Sequence, residues 1–374
     1  MIRTRTTSDT DKIPADIAAA VEAMRLQARV PGLSIAVVDA SGVQLAAGFG
    51  DADLSREVPA SASTPYLWFS MSKIVTATAA LRLADEGHLD LDAPVTEHLD
   101  HLRAPGPRQP TVRHLLTHTS GLGNPMPIRW VHPAGADAPD PAQLLRRLMS
   151  RRRAYRYPLG TARYSNVGYL AIGEIIATAA GEHFDTFVRR SVLDPLGMRA
   201  TGFEHGSEGV PTATGYVRAP RPADPVLRRT LPAGIVGRRH GRYLALNDFA
   251  VDGPAYGGLI GTVRDAARFL QMHLQDGELD GARILAPESA RAMRRLDHPG
   301  KEFVHGLGWF RRPSGRPSDR AGANDWVEHF GAGAGFWNVM RLYPDRGFGV
   351  VVMSNSTTSY PFDELFALLE RTRG

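Results

Sequence analysis

Segments typical of β-strands occur at both ends of this 374-residue chain, whereas the middle has helical periodicity. Near the start, residues 33–39 and 43–48 are separated by a short turn that contains glycine, which predicts a hairpin. Residues 305–312, 335–343 and 348–354 have the same character near the other end. The two ends of the chain are therefore expected to meet in one antiparallel sheet.

Most of the intervening segments repeat apolar residues at helical spacing. Two terminal helices are expected as well, over residues 17–28 and 362–373. The pattern predicts an α+β fold of the α/β-sandwich type, with an antiparallel sheet flanked by terminal helices and a mostly helical subdomain inserted. The predicted helices of that subdomain are residues 73–86, 112–116, 141–150, 166–180 and 184–193.

The same pattern divides the chain into three predicted parts. Residues 1–12 form a polar tail, residues 13–72 together with 246–374 form the sheet domain, and residues 73–245 form the mostly helical subdomain. We expect a functional site in the cleft between the domain and the subdomain. No apolar stretch follows the polar start, and no run reaches the roughly 18 apolar residues of a membrane span, so we expect a cytoplasmic protein without membrane contact.

Composition excludes several kinds of site. The chain has no cysteine, which rules out disulfides, iron–sulfur clusters, thiolate zinc sites and a cysteine nucleophile. The net charge is +5, and only three of the 44 basic residues are lysines. The densest basic group fits either a solvated helix face or an anionic partner, and it comprises Arg146, Arg147, Arg151, Arg152, Arg153 and Arg156. No zinc-finger or RNA-binding signature accompanies this group, so we favour the solvated face and expect no nucleic-acid partner.

Ser70 and Lys73 are the first candidate catalytic residues. Ser70 precedes the predicted helix over residues 73–86, and free N–H groups at a helix N-terminus stabilise an oxyanion. A spacing of three residues places Lys73 on the same face, where an unprotonated amine could activate a serine nucleophile. Arginine could not, because it keeps its proton in proteins. The alternative is an N-capping serine beside an ordinary surface lysine.

A second candidate group, Tyr164-Ser165-Asn166, lies at a predicted junction between a loop and a helix. The Tyr164 hydroxyl could relay a proton between Ser70 and a leaving group. The Asn166 amide could hydrogen-bond to both Lys73 and an acyl carbonyl. The alternative is purely structural, since a Ser-Asn turn commonly caps a helix.

The third candidate is the glycine-rich segment 328–336, which leads into a predicted strand. Glycines there would let a substrate lie against the edge of the sheet and extend it through main-chain hydrogen bonds. A phosphate-binding loop is the competing interpretation. However, the segment lacks the Lys-Ser/Thr ending and the order of strand, glycines and helix that nucleotide sites have.

Together, the motifs Ser70-x-x-Lys73, Tyr164-x-Asn166 and His329-x-Gly331 resemble those of the serine β-lactamase and penicillin-binding-protein superfamily, in the same order and with similar separations. The chain is most similar to the branch that contains class C β-lactamases, D-alanyl-D-alanine carboxypeptidases and β-lactamase-like esterases. The resemblance runs from about residue 20 to the end. Further matching stretches are residues 114–122, Gly257-Gly258-Leu259 and residues 306–309.

The resemblance implies a role for each motif residue. Ser70 would be the nucleophile that becomes acylated, and Lys73 and Tyr164 would be the coupled base and acid. The backbone N–H groups of Ser70 and Ala332 would form the oxyanion hole. Neither a metal nor an organic cofactor is implied. The implied substrate-binding residues are Asn166, which would orient the acyl group, His329 and Gly331.

Position 329 departs from the lactamase pattern, because lactamases usually have a fixed cation there and His329 is mostly neutral at pH 7. This departure weakens the case for an efficient β-lactamase but does not distinguish an esterase from a D-amino-acid peptidase. Because no export signal is seen, we expect a serine hydrolase that acts through an acyl-enzyme on small esters, a carboxylesterase. The expected partner is a small-molecule ester or amide. The alternatives are a D-amino-acid peptidase, D-alanyl-D-alanine carboxypeptidase or weak β-lactamase, an acyltransferase that uses the same acyl-enzyme, and a non-catalytic lactam or muropeptide binder.

Two other signals receive a structural interpretation. His114 and His118 are four residues apart, as in zinc helices, but the glutamate of His-Glu-x-x-His is missing. We expect packing or hydrogen-bonding roles for both histidines and no metal site. The Gly-x-Ser-x-Gly elbow of α/β-hydrolases is absent as well, so that rival fold has no support.

Overall fold

The computed structural model describes residues 13–125, 129–151, 154–312, 326–358 and 361–373. The predicted polar tail and the arginines at 152 and 153 lie outside the described residues. So does the segment 313–315, whose Pro-Ser-Gly sequence predicts a turn.

Strands and helices alternate irregularly along the chain. The helices are α1 (Ala15–Ala28), α2 (Ser72–Asp85), α3 (Val112–Leu116), α4 (Pro141–Met149), α5 (Asn166–Ala180), α6 (Phe184–Val188), α7 (Asp224–Thr230), α8 (Pro254–Gly257), α9 (Val263–Leu274), α10 (Pro287–Arg294) and α11 (Phe362–Glu370). The strands are β1 (Gly32–Asp39), β2 (Gly42–Asp53), β3 (Val58–Pro59), β4 (Tyr66–Leu67), β5 (Val131–Pro133), β6 (Tyr216–Arg218), β7 (Val236–His240), β8 (Tyr243–Leu246), β9 (Phe249–Val251), β10 (Ile260–Gly261), β11 (Glu278–Leu279), β12 (Ala282–Arg283), β13 (His298–Pro299), β14 (Val304–His305), β15 (Phe310–Arg311), β16 (Val327–Gly333), β17 (Phe336–Tyr343) and β18 (Phe348–Ser354).

One antiparallel sheet joins the two ends of the chain. Its described strands follow the order β13-β14-β15-β16-β17-β18-β1-β2-β3. β1 lies between β2, its hairpin partner, and β18, the last strand of the chain. The predicted α+β fold with an antiparallel sheet is confirmed, because the strands from the two ends do pair with each other.

Side chains of the central strands alternate between two cores. In β1, Ile35 and Val37 pack with apolar residues of α1 and α11, whereas Ala36 and Val38 belong to the larger core on the opposite face. α9 packs against β1 and β18 on that second face. Because helices cover both faces, β18 is an almost unbroken apolar run and is buried along its whole length.

Helices α3 and α5 begin and end at the residues that the sequence predicts, because both have clear terminal signals. The Thr111 side chain caps α3, and Ser165 caps α5 by accepting a hydrogen bond from the Gly168 N–H group. Gly181 ends α5 in the left-handed conformation that glycine adopts readily. The predicted helix 184–193 is divided instead into α6 and a π-helical segment, Arg189–Leu193.

The middle of the chain is less uniformly helical than predicted. β5 pairs with β9, and β6, β8 and β7 form a three-stranded sheet. These strands have three to five residues each, which is too short for an alternating pattern to be distinguished from a loop. Helices α7 and α10 were not predicted either, and the predicted strand 305–312 is divided into β14 and β15. The proposed boundaries at residues 72 and 245 stay predictions.

The arginine-rich segment has two kinds of environment. Arg146 and Arg147 are exposed on α4, opposite its buried leucines, as a solvated helix face requires. Arg156 lies beyond the end of α4 in a loop, so the helix-face interpretation does not extend to it. No helix within the described ranges is both long enough and apolar enough to span a bilayer.

Candidate active site

Ser70 lies in a tight 3-10 turn, Phe69–Met71, between β4 and α2. Phe69 has a φ of 48°, a left-handed conformation that typically costs a non-glycine residue about 1–3 kcal/mol. Its ring is held between Phe249 and Phe336, with ring centroids 6.2 Å apart in both pairs. This packed and strained turn presents Ser70 immediately before the first turn of α2.

Gly331 brings β16 directly alongside this turn. A side chain at position 331 would overlap the carbonyl oxygen of Trp68, so the strand can approach this closely only with glycine there. Gly333 has the same relation to the ring of Phe69. The glycines therefore have a packing reason in this fold, and the predicted contact between Gly331 and a substrate stays a prediction.

Lys73 is completely buried on the first turn of α2. Its Nζ lies 3.1 Å from Ser70 Oγ and 2.7 Å from the carbonyl oxygen of Tyr256. A carbonyl oxygen can only accept, so Tyr256 takes one N–H of the amine and fixes its orientation beside Ser70. Within the described residues, no carboxylate is paired with Lys73, and the surface-lysine interpretation is wrong.

Burial lowers the pKa of Lys73 well below the ordinary lysine value. The amine lies near three tyrosine rings, 4.9 Å from the centroid of Tyr164, 5.6 Å from that of Tyr169 and 5.5 Å from that of Tyr256. Such contacts favour the charged amine, but they are weak compared with the loss of hydration. The uncharged amine has a lone pair that can accept the proton of Ser70.

Tyr164 reaches the same point from the loop before α5. Burial raises the pKa of Tyr164 well above its ordinary value, and an interaction with the Ser70 side chain offsets part of the rise. The phenol therefore keeps its proton at neutral pH. The structure brings together the hydroxyl, the amine and the phenol that the sequence singled out at Ser70, Lys73 and Tyr164.

Asn166 is the first residue of α5, and its backbone N–H donates to the Asn124 side chain over 2.9 Å. The predicted hydrogen bond from its amide to Lys73 is not formed, because the described partners of Lys73 Nζ are Ser70 and Tyr256. Asn166 Oδ1 is buried and has no hydrogen-bond partner among the described residues. The amide is therefore available to a ligand.

His329 lies in β16 and is 1% exposed. Its Nδ1 is 2.8 Å from the carbonyl oxygen of Phe330, which can only accept, so Nδ1 carries the ring proton. Burial lowers the pKa of His329 well below its ordinary value. His329 is neutral at pH 7, as the sequence indicates, and β16 supplies no fixed cation at this position.

Two further histidines lie behind Tyr164. His118 is buried with its ring centroid 4.6 Å from that of Tyr164, and its Nδ1 accepts a hydrogen bond from the Ser165 N–H group over 3.1 Å. His305 follows at 5.0 Å from His118, and burial lowers its pKa to about 4. His114 caps α3 through Thr111. His118 thus holds the loop that carries Tyr164. No sequence signal pointed to His305 or to the Tyr256 carbonyl.

Two cavities meet at Ser70. The first, here called the polar cavity, has a volume of about 470 Å³, and its lining includes Tyr164, His329, Phe303, Phe310, Arg163 and Lys301. The second, here called the apolar cavity, has a volume of about 250 Å³, and its lining includes Phe69, Trp130, Val131, Leu231, Val251 and Tyr256. Ser70, Asn166 and Ala332 line both cavities. The predicted oxyanion-hole residues therefore lie at the junction, and their function there stays a prediction.

This geometry agrees with the comparison to known families. Residues 17–371 match the family model described as Beta-lactamase, so the chain belongs to the β-lactamase family, as its motifs indicate. Penicillin-binding protein 4 of Amycolatopsis lactamdurans is 27% identical over 92% of this chain and 86% of its own length. Protein flp of Staphylococcus aureus strain N315 is 24% identical over 88% of this chain. The chain spans only 61% of the length of that relative.

Solved structures show the same fold. The D-amino acid amidase of Ochrobactrum anthropi SV3, in a complex with D-phenylalanine, superposes with a TM-score of 0.76 at 23% identity. The superposition covers 96% of this chain and 100% of the amidase chain. This protein therefore has the fold of the β-lactamase-type serine hydrolases over almost its whole length.

Proposed function

We propose that this protein is a serine hydrolase that acts through an acyl-enzyme on small esters. The observation that carries the proposal is the opposite effect of burial on the two groups beside Ser70. Burial lowers the pKa of Lys73 and raises the pKa of Tyr164. At neutral pH the site thus holds an unprotonated amine and a protonated phenol, a base and an acid side by side.

The proposed acylation follows from these protonation states. Ser70 Oγ attacks the ester carbonyl while Lys73 takes the serine proton. The N–H groups of Ser70 and Ala332 stabilise the oxyanion, and each such donor is typically worth about 3–4 kcal/mol. Tyr164 then gives its proton to the departing alcohol oxygen, and the proton on Lys73 passes to the resulting phenolate. In deacylation, water takes the place of the alcohol and its proton returns to Ser70 by the reverse route.

The charges around Ser70 favour an ester of an apolar acid over the other substrates. His329 is neutral, so β16 lacks the cation that would hold a carboxylate next to a lactam ring. No charged side chain lines the apolar cavity in the described part of the chain, so an α-ammonium group of a D-amino-acid substrate would be buried there without a counter-charge. A neutral acyl group meets neither difficulty.

Acyl transfer to an alcohol is a second candidate activity, because it uses the same acyl-enzyme. The observation that favours it is the aromatic wall of the polar cavity, where the rings of Phe303 and Phe310 stack with centroids 4.4 Å apart. An acceptor alcohol with an apolar body would bury that body against this wall and so compete with water.

The test is hydrolysis of p-nitrophenyl butanoate beside a chromogenic cephalosporin, followed by intact-mass analysis after treatment with a fluorophosphonate. We expect turnover of the ester, little turnover of the cephalosporin, and one adduct on Ser70. Ser70→Ala should abolish both turnover and adduct, whereas Ser41→Ala, in the exposed turn between β1 and β2, should behave like the parent. Ester hydrolysis by Ser70→Ala at the parent rate would overturn the proposal.

A further inference from the structure

The two cavities that meet at Ser70 contact different catalytic groups. Tyr164 lines the polar cavity and not the apolar one. The proposed acid must reach the oxygen of the departing alcohol, so the alcohol half of the substrate lies in the polar cavity. The acyl half therefore lies in the apolar cavity. Asn166 and Ala332 line both cavities, as groups around the reacting carbonyl should.

The apolar cavity limits the acyl half in size and in charge. Its volume is about 250 Å³ and its walls are aromatic and aliphatic side chains. A dry cavity of about 150 Å³ is large enough to hold benzene. An acyl group of about the size of hexanoyl or phenylacetyl therefore fits, provided that it carries no charge.

The inner part of the polar cavity suits an apolar body on the alcohol half. Phe310 stacks on Phe303, and its ring centroid lies 4.3 Å from that of His329. Phe330 packs edge-on against Phe303 and Phe310. These rings line the cavity beside Tyr164, so the part of the alcohol next to the ester oxygen would contact aromatic surface.

The outer part of the polar cavity is positively charged. Its lining contains three cationic side chains, Arg156, Arg163 and Lys301, and one carboxylate, Glu302. Arg156 and Lys301 are exposed and Arg163 is half-buried, whereas His329 is buried. The Arg163 guanidinium contacts the Ala162 carbonyl and the Tyr157 ring, neither of which neutralises its charge. The positive charge therefore lies near the mouth of the polar cavity, away from the reacting bond.

We propose that the natural substrate is an ester of a small apolar acid whose alcohol half has an apolar body and an anionic group at its far end. This inference rests on the proposed function. The anionic group would lie at the mouth of the polar cavity, near Arg163 and Lys301. It would not lie next to the reacting bond, where this chain has the neutral His329. Neither cation belongs to the three catalytic motifs.

Two matched esters test this inference: 3-(4-hexanoyloxyphenyl)propanoate and the corresponding propanamide. Two methylenes separate the charged group from the phenol, so the two leaving groups have nearly the same reactivity. We expect kcat/KM to be about 5- to 10-fold higher for the carboxylate at low salt. The ratio should fall toward 1 at about 0.5 M salt, because exposed charges are screened.

Substitutions assign the preference to the named residues. Arg163→Gln and Lys301→Gln should each lower the carboxylate-to-amide ratio, whereas Arg163→Lys should preserve it. Lys301 is exposed, so its substitution leaves the fold intact. Arg108→Gln, at an exposed position that lines neither cavity, is the matched control and should keep the parent ratio.

The outcomes separate this inference from the proposed function. Suppose that both esters are hydrolysed and that hydrolysis depends on Ser70. If the carboxylate-to-amide ratio of the parent is then near 1, or if neither Gln variant changes this ratio, the proposed anionic alcohol half is wrong and the esterase proposal stands. If neither ester is hydrolysed, or Ser70→Ala hydrolyses both, the proposed function is wrong and the inference fails with it.

Discussion

Lys73 in the cleft and Arg341 in the sheet are both buried basic side chains, and their surroundings are opposite. Arg341 is 4% exposed and donates to Glu328 over 3.0 and 2.8 Å and to Asp363 over 2.6 Å. Lys73 is 0% exposed and contacts a carbonyl oxygen and a hydroxyl, with no carboxylate among its described partners.

The difference decides what each group can do. Burial alone would lower the pKa of Arg341, but its interactions with Glu328, Tyr343 and Asp363 together outweigh burial, and the pKa is raised. Arg341 is therefore a permanent charge, packed between the rings of Trp326 and Phe366. Lys73 has no such compensation, so burial lowers its pKa and favours the uncharged amine. The paired guanidinium of Arg341 links parts of the sheet domain, whereas the unpaired amine of Lys73 suits the proposed role of a base.

The largest expected effect is that of Lys73→Arg. The variant keeps a basic side chain of similar length, but arginine does not release its proton and cannot act as a base, so kcat/KM for p-nitrophenyl butanoate should fall by about 10³- to 10⁴-fold. Arg341→Lys is the mirror substitution and should leave kcat/KM near the parent value. Near-normal turnover by Lys73→Arg would reject lysine as the base. Lys73 and Arg341 would then not differ in their importance for catalysis.

Glu328→Gln tests the other side of the contrast. Glu328 is fully buried between Arg312 and Arg341, and loss of its charge leaves a buried guanidinium without its main partner. The free energy of unfolding should fall by about 3 kcal/mol, as measured by urea denaturation. Asp363→Asn removes a partner that is 67% exposed and should cost less than about 1 kcal/mol. Equal effects of the two substitutions would contradict the structural role of the Glu328–Arg341 pair.

A tyrosine lies beside each of these two basic side chains, which allows a matched pair of phenylalanine substitutions. Tyr164→Phe should lower kcat about 100-fold for an alkyl ester, and about 10-fold for a p-nitrophenyl ester, whose alcohol needs less protonation. Tyr343→Phe, beside Arg341, should have no effect on kcat for either ester. A loss of the same size for both esters in Tyr164→Phe would argue against its role as the acid.

The smallest expected effect is a change of stability with pH. The pKa of Lys73 is lowered in the folded protein, so between that pKa and about 10.4 the unfolded chain binds one more proton. The stability of the parent relative to Lys73→Met should therefore rise with pH, by up to about 1.4 kcal/mol per pH unit. The stability of the parent relative to Arg341→Lys should not change between pH 7 and 9. If the stability of the parent relative to Lys73→Met also does not change with pH, the buried amine keeps its proton.

Much of this architecture could be predicted from the sequence, because strong periodicity and clear helix-terminal signals specify local structure. The strands at both ends and helices α3 and α5 have strong patterns and terminal signals. The three- to five-residue strands β5 to β9 do not. β5 and β6 pair with β9 and β8, which are distant in the chain, and the local hairpin of β7 and β8 has strands too short for a clear alternation.

The groups of the candidate active site also divide into those that the sequence reveals and those that it does not. Ser70, Lys73 and Tyr164 could be found because the chemistry depends on their side chains. The Tyr256 carbonyl, which orients Lys73, is a backbone group and leaves no trace in residue type. The sequence analysis also missed the positive charge of the polar cavity. Arg163 and Lys301 are far apart in the sequence and line the same cavity only in the folded chain.

The central claim is that Lys73 is uncharged when the protein is folded, and its titration can be observed directly. Only three lysines occur in the chain, so protein labelled with ¹³C at lysine Cε should give three resolvable NMR signals, and Lys73→Arg identifies the one from Lys73. We predict that this signal titrates well below the usual value of about 10.4 while the other two titrate near it. Titration of all three signals near that value would contradict the account.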